Sequence, residues 1–107
     1  MMFINNIVAA AILAASAVTA RNITLCEDPD FKTCHYPDAP VNYCIYTPLI
    51  SDTTSSLDTG GATCEFFVDF GCFPKSESFN YTGQIKEFGL QPGLEHFDNT
   101  ISSFKCR

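Results

Sequence analysis

The sequence predicts an all-β domain stabilised by disulfides, on three observations. Short segments rich in β-branched and aromatic residues recur along the chain. Turn-forming clusters separate them. No long window carries the i, i+3, i+4, i+7 apolar stripe of an amphipathic helix.

The predicted strand segments are 22–26, 42–47, 63–69, 78–82 and 100–106. Asp28-Pro29-Asp30, Pro37-Asp38-Ala39-Pro40, Gly60-Gly61 and Gln91-Pro92-Gly93 supply the turns between them. Phe is abundant, with ten residues, and Trp is absent. A spacing of about ten residues between strands suggests a sandwich or Greek-key barrel.

Residues 1–20 read as a signal peptide. The apolar run at 7–15, I-V-A-A-A-I-L-A-A, is too short to span a bilayer as a helix. Val18 and Ala20 stand three and one residues before the expected cut, where signal peptidase takes small or β-branched side chains. No Lys or Arg precedes the run, which departs from the usual pattern. Cleavage after Ala20 leaves 21–107 as one exported domain, extracellular and free of the membrane.

A chain that short buries only about 60–65% of its unfolded surface, so its core alone is marginal. All six cysteines (Cys26, Cys34, Cys44, Cys64, Cys72 and Cys106) lie in the mature part. An even number in a short exported chain reads as a disulfide framework with 15 formal connectivities for six thiols. Each bridge adds roughly 2–4 kcal/mol. Zinc sites use close Cys or His pairs such as C-x2-C, and here only the adjacent Cys34-His35 hints at metal.

The net charge is −6, with the acidic residues dispersed and no basic patch. That balance repels phosphate backbones and excludes nucleic acid as a partner, and it favours cations. Asn22-Ile23-Thr24 and Asn80-Tyr81-Thr82 are N-glycosylation sequons, which places Asn22 and Asn80 at the surface.

The chain also repeats itself. Ser51-Asp52-Thr53-Thr54-Ser55-Ser56 and Asp98-Asn99-Thr100-Ile101-Ser102-Ser103 match, each followed by an apolar residue, Leu57 and Phe104. Setting Cys26 against Phe67 places Phe31 on Cys72, so both halves keep the same five-residue step. The domain reads as two copies of one unit of about 40 residues, meeting at Gly60-Gly61.

These motifs resemble the βγ-crystallin domains. Their unit is a four-stranded Greek key opening with Tyr/Phe-x4-Phe-x-Gly and closing with Asn/Asp-Asn/Asp-x-x-Ser/Thr-Ser. Residues 98–103 match the closing motif at every fixed position, and 51–56 match all but the first. The opening motif departs in both halves: Cys26-x4-Phe31-x-Thr33 lacks Tyr and Gly, and Phe67-x4-Cys72-x-Pro74 lacks Phe and Gly. The resemblance spans essentially the whole mature chain and implies a sandwich of two Greek keys, about 22–59 and about 62–107. The six-cysteine, exported, two-motif layout is similar to small secreted fungal proteins of this fold.

The resemblance carries further expectations. First and fourth strands of such a unit are antiparallel neighbours, which implies a Cys64–Cys106 bridge, with Cys34–Cys44 and Cys26–Cys72 for the rest. Family members that bind Ca²⁺ combine one closing motif with the opening hairpin of the other half, and the hard oxygen donors of such motifs suit calcium. Carried over, one site uses the Thr100 carbonyl and Ser102 hydroxyl with the hairpin at Glu27 and Asp28. The other uses Thr53 and Ser55 with the hairpin at Val68 and Asp69. In members that bind no metal, the same Asp and Ser side chains cap the backbone.

Catalytic signals are thin. There is no G-x-S-x-G, H-E-x-x-H or phosphate loop, and paired cysteines leave no thiolate. His35 and His96 read as ordinary surface residues. The expectation is a secreted, non-catalytic module, calcium-binding at the closing motifs, with a structural or binding role toward an extracellular protein or cell-surface partner. The alternatives are a secreted toxin, antifungal or host-directed effector, and a protease inhibitor using loop 47–59 or 87–97. Antimicrobial cysteine-rich proteins are mostly cationic, which weighs against the toxin.

Overall fold

The computed structural model describes residues 21–46 and 51–107. The expected signal peptide (1–20) and the first part of the 47–59 loop lie outside the described residues. Eight strands carry the fold: β1 (Arg21–Asn22), β2 (Thr24–Asp28), β3 (Lys32–His35), β4 (Asp38–Ala39), β5 (Cys44–Tyr46), β6 (Ser56–Phe67), β7 (Ser78–Ile85) and β8 (Ser103–Cys106). Two single-turn 3₁₀ helices, Phe88–Leu90 and Glu95–Phe97, bridge β7 and β8.

The long strand β6 organises the molecule. Its pairing with β7 shifts register between Asp58 and Thr63, at Gly60 and Gly61. Before the shift it pairs with β2 and the end of β7; beyond it, with the start of β7 and with β8. The result is two four-stranded layers, β3-β2-β6-β7 and β7-β6-β8-β5. Each layer takes three strands from one half and its last strand from the other: β5 joins β8, and Gln84 and Ile85 join Asp58 and Leu57. This exchange of third strands makes the two halves one cooperative unit, with the all-β, two-Greek-key architecture the sequence predicts.

Alternation along β6 explains its stability. Leu57, Thr59, Ala62, Cys64 and Phe66 are buried, as period-two patterning demands of a strand between two layers. Phe66 stacks against Phe79 and Phe104 at ring separations of 5.3 and 5.7 Å. Leu25, Leu57, Ile85, Phe88 and Ile101 close the core, each burial contributing roughly 1.5–3 kcal/mol.

Three disulfides close the framework: Cys26–Cys34, Cys44–Cys72 and Cys64–Cys106. Cys64 and Cys106 are directly paired residues of β6 and β8, so that bridge is as expected. The other two pairings correct the expectation of Cys34–Cys44 and Cys26–Cys72. Cys26 and Cys34 stand opposite each other across β2 and β3, a strand pair the sequence reading missed because Lys32–His35 is polar. That leaves Cys44 on β5 for Cys72, which joins the two halves.

Candidate functional site

The two closing segments meet face to face about a pseudo-two-fold axis. The Asp52 N–H donates to the Ile101 carbonyl at 3.0 Å, and the Asn99 N–H donates to the Thr54 carbonyl at 3.0 Å. Asp52 and Asn99 are counterparts, as are Thr54 and Ile101. Both Asp52 (φ 55°) and Asn99 (φ 60°) lie in the left-handed region, where Asp and Asn are the best tolerated residues after Gly. The positions that fix the motif in sequence are therefore those that turn its backbone.

Each closing segment also clamps an opening hairpin. Ser56 Oγ donates to the Asp28 carbonyl and accepts from the Phe31 N–H. Ser103 Oγ donates to the Asp69 carbonyl and accepts from the Cys72 N–H, making the same pair of bonds in the other half. Phe31 and Cys72 both have left-handed backbones, φ 61° and 52°. The alignment of Phe31 with Cys72 thus holds atom by atom. Thr33, where the family pattern has Gly, also adopts φ 56°; its hydroxyl bonds Asp28 Oδ2 at 2.7 Å.

Between the clamps lie two oxygen clusters. In one, Ser102 Oγ is 3.2 Å from Ser51 Oγ and 3.4 Å from Asp52 Oδ1. In the other, Ser55 Oγ donates to Asn99 Oδ1 at 2.9 Å. Asp98 is the counterpart of Ser51, and its Oδ1 is buried without a hydrogen-bond partner. Each cluster combines a buried serine from one half with the start of the other half's motif.

No family model and no curated relative matches the chain. Solved structures do. A beta gamma crystallin from Ciona intestinalis superposes with a TM-score of 0.57 at 23% identity, over 80% of this chain and 99% of that one. A structure described under the evolution of the eye lens beta-gamma-crystallin domain fold reaches a TM-score of 0.61 at 15% identity, over 83% and 87%. The N-terminal domain of protein S gives 0.57 at 18% identity, over 80% and 94%. The chain has the βγ-crystallin fold.

Within the βγ-crystallin fold, the residues singled out from sequence fall as follows. Ser102 and Ser55 lie in the two clusters, but each sits on the hairpin of its own half. The Ser102 N–H donates to the Phe67 carbonyl at 2.9 Å and the Ser55 N–H to the Cys26 carbonyl at 2.8 Å. The expected cross-pairing of Ser102 with Glu27 and Asp28, and of Ser55 with Val68 and Asp69, is thus exchanged. What crosses between halves is closing motif to closing motif. The Glu27 carboxylate holds His35 Nε2 at 2.8 Å, while the Asp28 and Asp69 carbonyls are taken by the clamping serines. The Val68 N–H donates to the Glu77 carbonyl. Thr100 caps the preceding turn through Phe97 O, and Thr53 is half-buried between Asp52 and Thr54.

Sequence reasoning missed Ser51, Asp52, Asp98 and Asn99 as donors, although the first two positions of the motif were in view. The Ser51, Asp52 and Asn99 side chains meet the other half's serine, and no linear pattern reveals that. Asn22 and Asn80 of the sequons are both exposed. His96 Nε2 lies 2.8 Å from Glu77 Oε2, so each histidine is paired with a glutamate. Among the described residues, no helix is long and apolar enough to cross a membrane.

Proposed function

We propose that this chain is an exported, non-catalytic βγ-crystallin-type module with a structural or binding role outside the cell, stiffened by calcium at its two closing motifs. The observation that carries the reading is the pair of oxygen clusters, Ser51/Asp52/Ser102 and Asn99/Ser55, the second next in the chain to the buried, unpartnered Asp98 Oδ1. Three disulfides fit an oxidising compartment, and the exposure of both sequon asparagines supports glycosylation there.

The donor set suits the ion. Calcium takes hard oxygens from carboxylates, amides, hydroxyls and carbonyls, with flexible geometry. The first cluster offers the Asp52 carboxylate and two serine hydroxyls; the second offers the Ser55 hydroxyl and the Asn99 amide oxygen, with the Asp98 carboxylate adjacent in the chain. The unpartnered Asp98 Oδ1 is the kind of buried acceptor a cation satisfies. Among the described residues no three His, Cys, Asp or Glu side chains gather, so each site has low charge. Affinity then belongs in the range of roughly 10⁻⁴–10⁻³ M typical of extracellular modules. Calcium bound there would supply a positive charge between the halves, and Asp52, Asp98 and the two buried serines are the residues that would hold it.

A folded-state ligand stabilises by RT ln(1 + [L]/Kd), roughly 1.4 kcal/mol at ten times Kd, or several degrees of melting temperature for a domain this small. Melting curves of the disulfide-intact protein in EDTA, in about 10 mM calcium and in about 10 mM magnesium test this. Calcium raises the midpoint and magnesium does less, because magnesium demands a tighter octahedral shell. Superimposable EDTA and calcium curves would reduce the clusters to backbone caps.

A further inference from the structure

The hairpin after β6 carries aromatic rings that the fold does not need. Phe70 and Phe73 are 57% and 58% exposed, and Tyr46 on β5 is 46% exposed. Tyr46 meets Phe70 edge to face, ring centroids 5.0 Å apart. The other half builds the same hairpin with the same serine clamp, and there the counterparts of Phe70 and Phe73 are Pro29 and Lys32. The architecture therefore imposes no aromatic residue at these places.

The hairpin that carries the rings is braced at several points. Cys44–Cys72 ties β5 to the hairpin, and Ser103 grips it at the Asp69 carbonyl and the Cys72 N–H. Gly71 has an ordinary negative-φ backbone, yet a Cβ there would lie 2.9 Å from the Phe73 ring. The tip of the Phe73 ring thus occupies the space that a side chain at position 71 would need. The Ser76 N–H donates to the Phe73 carbonyl and Ser76 Oγ accepts from the Asp69 N–H, which fixes the following turn. Beside the ring lies a depression of about 480 Å³ lined by Asp69, Phe73, Pro74, Lys75 and Ser76. That volume is within the range of small-ligand clefts.

We propose that the exposed rings of this hairpin, Phe70 with Tyr46 against it and Phe73, bind the sugar rings of a neutral, β-linked polysaccharide. Pyranose rings with equatorial substituents present flat C–H faces, weakly positive at hydrogen, that match the negative face of an aromatic ring. Their hydroxyls then reach donors and acceptors at the ring edge, here Asp69, Lys75 and Ser76. An anionic bilayer is disfavoured, because the chain carries −6 and sets a carboxylate beside the rings. A second copy is disfavoured by the same like charge. Exposed apolar surface that the fold does not require marks a binding face, and a braced hairpin loses little backbone freedom on binding.

The proposal rests on the reading of an extracellular binding module and names its partner. The test is co-sedimentation of the intact protein with chitin, cellulose and curdlan, alongside phosphatidylcholine and phosphatidylserine vesicles, with size-exclusion chromatography. The expected result is depletion by at least one of the three polysaccharides. The Phe70→Ser/Phe73→Ser double variant should bind that polymer at least about tenfold more weakly, as loss of two stacking contacts implies. Leu90→Ser, which removes a still more exposed apolar side chain elsewhere, should bind like the wild type. Melting curves of all three proteins in EDTA and in calcium are recorded together. No depletion by any polysaccharide, equal depletion of the double variant, vesicle binding alone, or self-association through this face each overturns the proposal. A retained calcium shift alongside such a result leaves the module reading standing, so the two failures are distinguishable.

Discussion

Thr54 and Ile101 are counterparts in the two closing motifs, and both are sealed from solvent. Ile101 meets an apolar site with an apolar side chain, whereas the Thr54 hydroxyl finds no hydrogen-bond partner. A buried unsatisfied hydroxyl costs about 1–3 kcal/mol, and valine has nearly the same shape without it. Thr54→Val is expected to stabilise the protein by about 1 kcal/mol, read as a higher urea midpoint at unchanged slope. The clamping serines make the opposite case. Ser103→Ala leaves the Asp69 carbonyl and the buried Cys72 N–H unpaired at once, so it should cost about 2–3 kcal/mol in the same urea assay. Ser56→Ala should cost a similar amount, since it makes the same two bonds in the other half. A difference above about 1.5 kcal/mol between them would break the equivalence of the halves.

At the scale of elements, β6 carries the weight of the fold and its glycines show why. Gly60 has φ +62°, and a Cβ there would sit 2.2 Å from the Asn22 carbonyl oxygen, whereas Gly61, at φ +89°, faces open space. Gly60→Ala is expected to destabilise by about 2 kcal/mol or more, against about 1 kcal/mol for Gly61→Ala, measured by thermal or urea melts. Equal costs would mean that the strand crossing at Asn22 does not constrain the bulge. The elements were only partly legible in the sequence. The apolar alternation of 63–69 and 100–106 showed because those segments face a core on one side. Strand β3 did not show, because Lys32, Thr33, Cys34 and His35 form an edge with no buried face. The first part of β6 was hidden within the serine-rich motif, whose buried hydroxyls at Ser55 and Ser56 read as loop chemistry. Missing β3 also misplaced two disulfides, since Cys26 had no visible partner strand.

Across the whole molecule, the repeat was the most legible feature, because the motif's fixed positions are set by backbone turns that recur in both halves. The relation of the halves to each other was not legible. Strand exchange and the two-fold contact of the closing motifs are long-range, and they decide which serine meets which carboxylate. Cys44–Cys72 is another cross-half link, so Cys44→Ser/Cys72→Ser should cost about 2–4 kcal/mol and loosen the aromatic hairpin with it. Non-reducing peptide mapping should recover this bridge together with Cys26–Cys34 and Cys64–Cys106. The central claim is that the two closing motifs, brought together by the fold, make two equivalent calcium sites. Calorimetric titration of calcium into the disulfide-intact protein tests it most directly. Two sites per chain are expected for the wild type, at roughly 10⁻⁴–10⁻³ M, and one each for Asp52→Asn and Asp98→Asn. Absence of binding up to about 10 mM calcium, or binding that neither substitution changes, would contradict it.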